Sequence, residues 1–203
     1  APMPCPAAPI LLASLALVAA PSPDITWRNI GPGGGGWIQS ICASPHAHDG
    51  LFVGCDVGGF YRSDDGGASY AIHNAGLTDY WIECIIPHPK HPKTLYIGCE
   101  SGVYRSDDGG RSWQWLRKGF PEPQSHRWSA PIGALAIDPS SPDTLYAGIG
   151  RPRMFKEGTG AVYKTTDAGM SWQPATDRYF GGTIGGIAVD HLNPDIVWVG
   201  GGE

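Results

Sequence analysis

The sequence predicts an all-β protein, a β-propeller of four-stranded antiparallel blades of which about three and a half are present. Three observations predict it. The turn motif Ser/Thr-x-Asp-x-Gly-x-Ser-aromatic occurs at residues 61–70 (YRSDDGGASY), 104–113 (YRSDDGGRSW) and 163–172 (YKTTDAGMSW). Upstream of each lies a block reading strand, polar turn, strand, headed by Ile41, Ile85 and Leu135, with a fourth headed by Ile187. The runs between turns are β-branched and aromatic, and no stretch after residue 23 keeps a helical period. A unit this small cannot bury its own apolar face, so its repetition at 44 to 52 residues means blades stacked around an axis.

Taken in order, residues 1–23 form a leader. Its apolar run at 10–20 (ILLASLALVAA) is too short to span a bilayer, ends in small residues and reads as a signal-peptide core cleaved near Ala20. A secreted or periplasmic protein with no membrane-spanning segment is expected. Residues 24–203 are a partial propeller. Residues 24–30 are expected as a closing outer strand, because Thr26-Trp27-Arg28-Asn29-Ile30 matches the fourth-strand text Ser112-Trp113-Gln114-Trp115-Leu116. Blade 1 occupies 37–72, blade 2 82–117, blade 3 131–176, and 184–203 begin blade 4. Within blade 2 the four strands are expected at 82–86, 94–98, 103–106 and 112–116. Gly54, Gly98, Gly148 and Gly200 recur at one step of the second strand. Residues 121–129 and 151–160 are insertions. The strand and turn motif due after Gly200 do not follow, so the chain is expected to be a piece of a longer protein.

The repeated motif joins the third and fourth strands. Ser63, Asp65 and Gly67, then Ser106, Asp108 and Gly110, then Thr165, Asp167 and Gly169 form its core. The carboxylates are expected to accept turn N–H groups, the glycines to supply positive φ, and Tyr70, Trp113 and Trp172 to pack between blades. Recurrence in every unit makes these residues scaffold.

Composition narrows the partners. Thirty glycines and nineteen prolines suit a turn-rich chain, and a net charge of −5 with fourteen Lys plus Arg argues against nucleic acid. Four of the five cysteines, Cys42, Cys55, Cys84 and Cys99, fall in strands and read as buried free thiols. His46, His48, His88 and His91 read as polar turn residues, so no metal or cofactor is expected.

In an antiparallel blade the first and third connections share one face of the disc, and the second connection shares the other face with the inter-blade loops. The turn motifs occupy the former, so ligand residues are expected on the latter. Candidates for substrate binding there are Trp37, Tyr80, Trp81, Glu100 and Trp128. Exposed rings beside carboxylates suit carbohydrate, whose C–H faces stack while its hydroxyls seek acceptors.

The turn motif resembles the Asp-box (BNR) repeat of a broad group of propellers. Residues 27–29 (WRN), 33–36 (GGGG), 55–62 (CDVGGFYR) and 77–81 (LTDYW) together resemble the opening of the N-terminal propeller in glycoside hydrolase family 74, the xyloglucanases and related endo-β-1,4-glucanases. The family pattern has Thr and Ala where this chain has Cys55 and Phe60. The resemblance implies inverting hydrolysis of a β-1,4-glucan or xyloglucan-type polysaccharide with Asp56 as general base, the acid lying on a second propeller. The alternative is a secreted, non-catalytic sortilin-like or assembly-factor-like propeller that binds protein partners.

Overall fold

The computed structural model describes residues 26–33, 35–121, 130–150, 160–176 and 182–202. The leader, Trp128 and most of both insertions lie outside them. The described residues contain strands and turns and no helix. They form three four-stranded sheets and one two-stranded sheet, all antiparallel and each ordered as the chain runs. The first sheet is β1 (Ile38–Ala43), β2 (Leu51–Cys55), β3 (Phe60–Ser63) and β4 (Ala71–Ile72). The second is β5 (Ile82–Pro87), β6 (Leu95–Cys99), β7 (Gly102–Ser106) and β8 (Gln114–Leu116). The third is β9 (Ile132–Ile137), β10 (Leu145–Ile149), β11 (Ala161–Thr165) and β12 (Gln173–Pro174), and the last is β13 (Thr183–Val189) with β14 (Val197–Gly202). Ile41, Ile85, Leu135 and Ile187 fall on β1, β5, β9 and β13, the leading strands, which neighbour one another from sheet to sheet. The chain is an incomplete propeller.

The recurring glycine in each second strand has a steric cause. A Cβ on Gly98 would lie 2.6 Å from Cys84 Sγ and 2.7 Å from Ile132 Cγ2, and Gly54 and Gly148 face Ile82 and Ile184 in the same way. Each glycine therefore opens a seat for the isoleucine that begins the next sheet. Ile82, Ile132 and Ile184 are wholly buried there. Around these seats the inter-sheet cores form. Phe52, Phe60, Ile85, Leu95 and Trp113 pack between the first two sheets, and Tyr96, Leu116, Phe120, Leu145 and Trp172 between the second and third. Phe60 and Trp113 meet edge to face at 4.8 Å, a contact worth about 0.5–1.5 kcal/mol beyond its area. No sheet among the described residues covers the outer side of β1, where Ile41 is 63% exposed while Ile85 and Leu135 are buried.

Residues 26–30, expected as the closing outer strand of a last blade, form no strand with the described sheets, and Ile30 lies against Gly67 of the first turn motif. An outer strand needs a third strand beside it, and none among the described residues is free to pair with this segment.

The three turn motifs share one hydrogen-bond network. In the second, Ser106 Oγ donates to Asp108 Oδ1 (2.8 Å) and accepts from Gly110 N (2.8 Å), while Ser112 N and Oγ donate to Asp108 Oδ1 and Oδ2 (2.9 and 2.6 Å). Ser63, Asp65, Gly67 and Ser69 repeat it, as do Thr165, Asp167, Gly169 and Ser171. Two successive left-handed residues close each turn, Gly66-Gly67, Gly109-Gly110 and Ala168-Gly169. The turns also bind sheet to sheet. Arg62 Nη1 donates to Gly109 O and Arg105 Nη1 to Ala168 O, each reaching the next motif along. Beside them, Trp113 N donates to Ala75 O (2.9 Å) and Trp172 N to Lys118 O (2.8 Å).

Two predictions follow from this packing. Gly98→Ala should destabilise the protein by about 1–3 kcal/mol through overpacking. In a double-mutant cycle read by chemical denaturation, Ile132→Ala should cost less in the Gly98→Ala background than alone, because it removes the clashing methyl. Additive costs would mean the glycine serves another purpose.

The second concerns acid. The Asp65 carboxyl is held down to about 2 chiefly by the Ser69 hydroxyl, and that of Asp167 to about 2 by the Ser171 and Thr165 hydroxyls. For Asp108, burial pushes upward but the Ser112 hydroxyl and N–H outweigh it, again giving about 2. Carboxyls depressed in the fold stabilise it fully above their ordinary value of 3.8, and that contribution disappears as pH falls toward about 2. Thermal melts should show a loss across that window, shallower in Asp108→Asn, which cannot titrate.

Candidate functional site

On the face opposite the turn motifs, the β2–β3 turn carries Asp56 and meets the loop that leads into β1. Asp56 N donates to Trp37 O (3.1 Å), and Gly58 N donates to Gly35 O (2.7 Å). In return, Trp37 N donates to Asp56 Oδ1 at 2.7 Å, so the carboxylate is anchored through one oxygen. Among the described residues no hydrogen bond reaches Oδ2. Gly36 makes this anchorage possible. Its φ is +98°, and an added Cβ would fall well inside contact with Asp56 Oδ1.

A residue that sequence reasoning missed braces the turn from below. Asn74 Oδ1 accepts from Phe60 N (2.9 Å) and its Nδ2 donates to Gly58 O (2.9 Å), binding both ends of the Gly58-Gly59 pair. Its position just after β4, and not any motif, puts it there. Cys55 beside Asp56 is buried, and that burial, aided by the Asp56 charge, pushes its thiol up. It is held as a neutral thiol and not as a nucleophile.

The next loop is built differently. Asp79 is buried, with Oδ1 accepting from Trp81 N (3.0 Å) and Oδ2 from Ser101 N (2.8 Å), which ties this loop to the β6–β7 turn of the second sheet. Trp81 Nε1 donates to Glu83 Oε1 (2.8 Å), fixing the indole. Glu83 lies at a β-bulge of β5, and Gln39, Gly133 and Gly185 lie at the matching bulges of β1, β9 and β13. A bulge re-aims one side chain. No sequence motif marked these positions.

The structure thus brings Asp56 and Trp37 into direct contact. Trp37 is 72% exposed, Tyr80 47%, and Trp81 is partly buried. Glu100 occupies the step of Asp56 one sheet on, but it is only 1% exposed, and its backbone carbonyl accepts from Ala130 N (3.4 Å) just before the third sheet begins. Trp128 lies outside the described residues. Among those residues, no group of three or more His, Cys, Asp or Glu could hold a metal ion, and no helix is long and apolar enough to cross a membrane.

No family model matches the chain. Three curated relatives do, including the following two. A xyloglucanase of Paenibacillus sp is 27% identical over 160 residues, 78% of this chain and 11% of the relative. A xyloglucanase of Hypocrea jecorina (strain QM6a) is 28% identical over 130 residues, 59% of this chain and 15% of the relative. The crystal structure of an ancestral GH74 enzyme superposes with a TM-score of 0.70 over 87% of this chain and 23% of that one, at 20% identity. The chain resembles a GH74 propeller. It spans between a tenth and a sixth of the length of these curated relatives.

The Gly36 contact yields a test. Gly36→Ala should displace the Asp56 carboxylate by forcing both a strained φ and a clash, without altering the carboxylate itself. A crystal structure of the variant should show the Trp37 N–H to Asp56 bond broken. An unmoved carboxylate would mean that the loop, and not Asp56, accommodates the methyl.

Proposed function

We propose that this chain is the propeller part of a secreted carbohydrate-active protein that hydrolyses a β-1,4-glucan or xyloglucan-type polysaccharide with inversion, Asp56 acting as general base. The observation that carries this reading is the anchored carboxylate on the open face. Trp37 N–H fixes Oδ1 and leaves Oδ2 to hold a water, between two glycines and beside an exposed indole. Both of these curated relatives are xyloglucanases, which supports the substrate class.

The mechanism requires a carboxylate that takes a proton from water as that water attacks the anomeric carbon, with a protonated carboxyl about 6.5–9.5 Å away on the leaving oxygen. Asp56 supplies the first half. The family resemblance puts the second on a facing propeller, leaving an open cleft in which a polymer can lie. Trp37, Tyr80 and Trp81 supply ring faces for the C–H surfaces of successive sugars. The Asp79 and Glu83 bonds hold Trp81 in one orientation before any sugar arrives, so less freedom is lost on binding.

Asp56→Asn in the complete protein is the decisive variant. The amide oxygen still accepts the Trp37 N–H, so the turn survives while the base is lost. Turnover of xyloglucan should fall by about 10²–10⁴-fold with glucan binding retained. Trp37→Ala should instead weaken binding. Wild-type turnover by Asp56→Asn would remove the general-base assignment. A complete protein inert on every β-glucan would leave the non-catalytic, partner-binding propeller as the better reading.

A further inference from the structure

The turn that follows each leading strand carries a second repeated lock, three residues after the strand heads Ile41, Ile85, Leu135 and Ile187. Asp138 Oδ1 accepts from Ser140 N (2.8 Å) and Ser141 N (3.2 Å), and Asp190 Oδ1 accepts from Leu192 N (2.8 Å) and Asn193 N (3.1 Å). In the first sheet Ser44 Oγ accepts from His46 N (3.2 Å). In the second sheet the acceptor is a histidine. His88 Nδ1 accepts from Lys90 N and His91 N, both at 3.0 Å, and the side chain does the work of an aspartate. It is only 3% exposed.

This turn also links its neighbours. His46 Nε2 of the first sheet donates to His88 O (2.8 Å), and Lys90 Nζ donates to Ser140 O of the third (3.3 Å). Gly109 N donates to Lys93 O (2.8 Å), fastening the same turn to the second Asp-box. One histidine lock therefore sits at the middle of a chain of three sheets, on the scaffold face and away from Asp56.

We propose that His88 makes this turn an acid-sensitive joint, which clasps the first three sheets together while its imidazole is neutral and releases when the ring is protonated. The reason is donor–acceptor arithmetic. Nδ1 can accept two N–H groups only while it carries no proton; once protonated it becomes a donor pointed at two donors. Aspartate at the same step has no such conflict near neutrality. The groups around the ring act in both directions. His91, whose ring lies 4.4 Å away and tilted by 41°, Lys90 on the same turn and Arg105 from β7 oppose a positive ring, whereas Asp143 from the third sheet favours it. His46 approaches from the first sheet through the His88 carbonyl. Burial is the largest influence and, with those cations, holds His88 below its ordinary 6.5.

The fold thus prefers the neutral ring. Its contribution is complete above pH 6.5 and is lost as pH falls through the lower, folded value. Such a joint would couple the rigidity of the scaffold to the acidity of the surroundings.

The test uses the complete protein. Melting temperature should drop in the wild type as pH falls from about 7 through the lowered, folded value of His88, and His88→Asp should abolish that drop, since aspartate already serves this step in the next two sheets. His48→Gln, at an exposed histidine, should leave the drop in place. Amide hydrogen exchange on the wild type gives a reading that does not depend on a folded variant: protection at Lys90 and His91 should be lost over the same range, after correction for intrinsic rates. An unchanged drop in His88→Asp, or protection at those two amides that persists below the pH at which the wild-type drop is complete, would overturn the proposal.

Discussion

The rest of this fold depends on a contact in which one partner has no side chain. Gly54, Gly98 and Gly148 each leave a space on a second strand, and Ile82, Ile132 and Ile184 fill those spaces from the next sheet. Because the isoleucine sits at the start of its leading strand, seating it sets both the distance between sheets and the point at which the next sheet begins. The aromatic residues then close the wider, outer part of each wedge. Trp113 and Trp172 reach back to Phe60 and Phe120, while Arg62 and Arg105 reach forward to the following turn. Packing is tight near the axis, where only a glycine fits, and bulkier toward the rim, where whole indoles are needed.

The division of labour between the two faces comes from the same geometry. A four-stranded antiparallel sheet returns its first and third connections to one side. That side carries Asp65, Asp108 and Asp167, whose oxygens are consumed by serine hydroxyls and backbone N–H groups. The other side carries single turns and inter-blade loops, which vary from sheet to sheet. There Asp56 keeps an oxygen clear of any described partner, whereas Asp79 has each of its oxygens bonded and buried. Carboxylates one loop apart thus differ in chemical availability for a reason visible in their hydrogen bonds.

Much of the fold was legible in the sequence because the repeated features are local. The hydrogen bonds that Ser or Thr and Asp make in each turn motif close within its own ten residues, so YRSDDGG reads the same on paper as in space. The step of glycines was legible too, though its cause was not, since the isoleucine that demands each glycine belongs to another blade. The candidate site was less legible. Asp56 stood out through a family resemblance and Trp37 as an aromatic in an inter-blade loop, but their mutual bond, the brace from Asn74 and the bulge that positions Glu83 join residues distant in sequence. Glu100 shows the limit most clearly. It shares the step of Asp56, yet it is buried, and burial is not written in a repeat.

By itself, then, the sequence determined the class of the fold, the phase of its repeat and the turns that lock each unit, because periodicity and turn chemistry are properties of short stretches of chain. Only the tertiary structure decided which carboxylate faces the open side, that Ile30 lies against the first turn motif, and that His88 takes an aspartate's place between two neighbouring turns. Those outcomes rest on which surfaces are covered and which N–H groups find an acceptor across blades, and neither is settled until the sheets are packed.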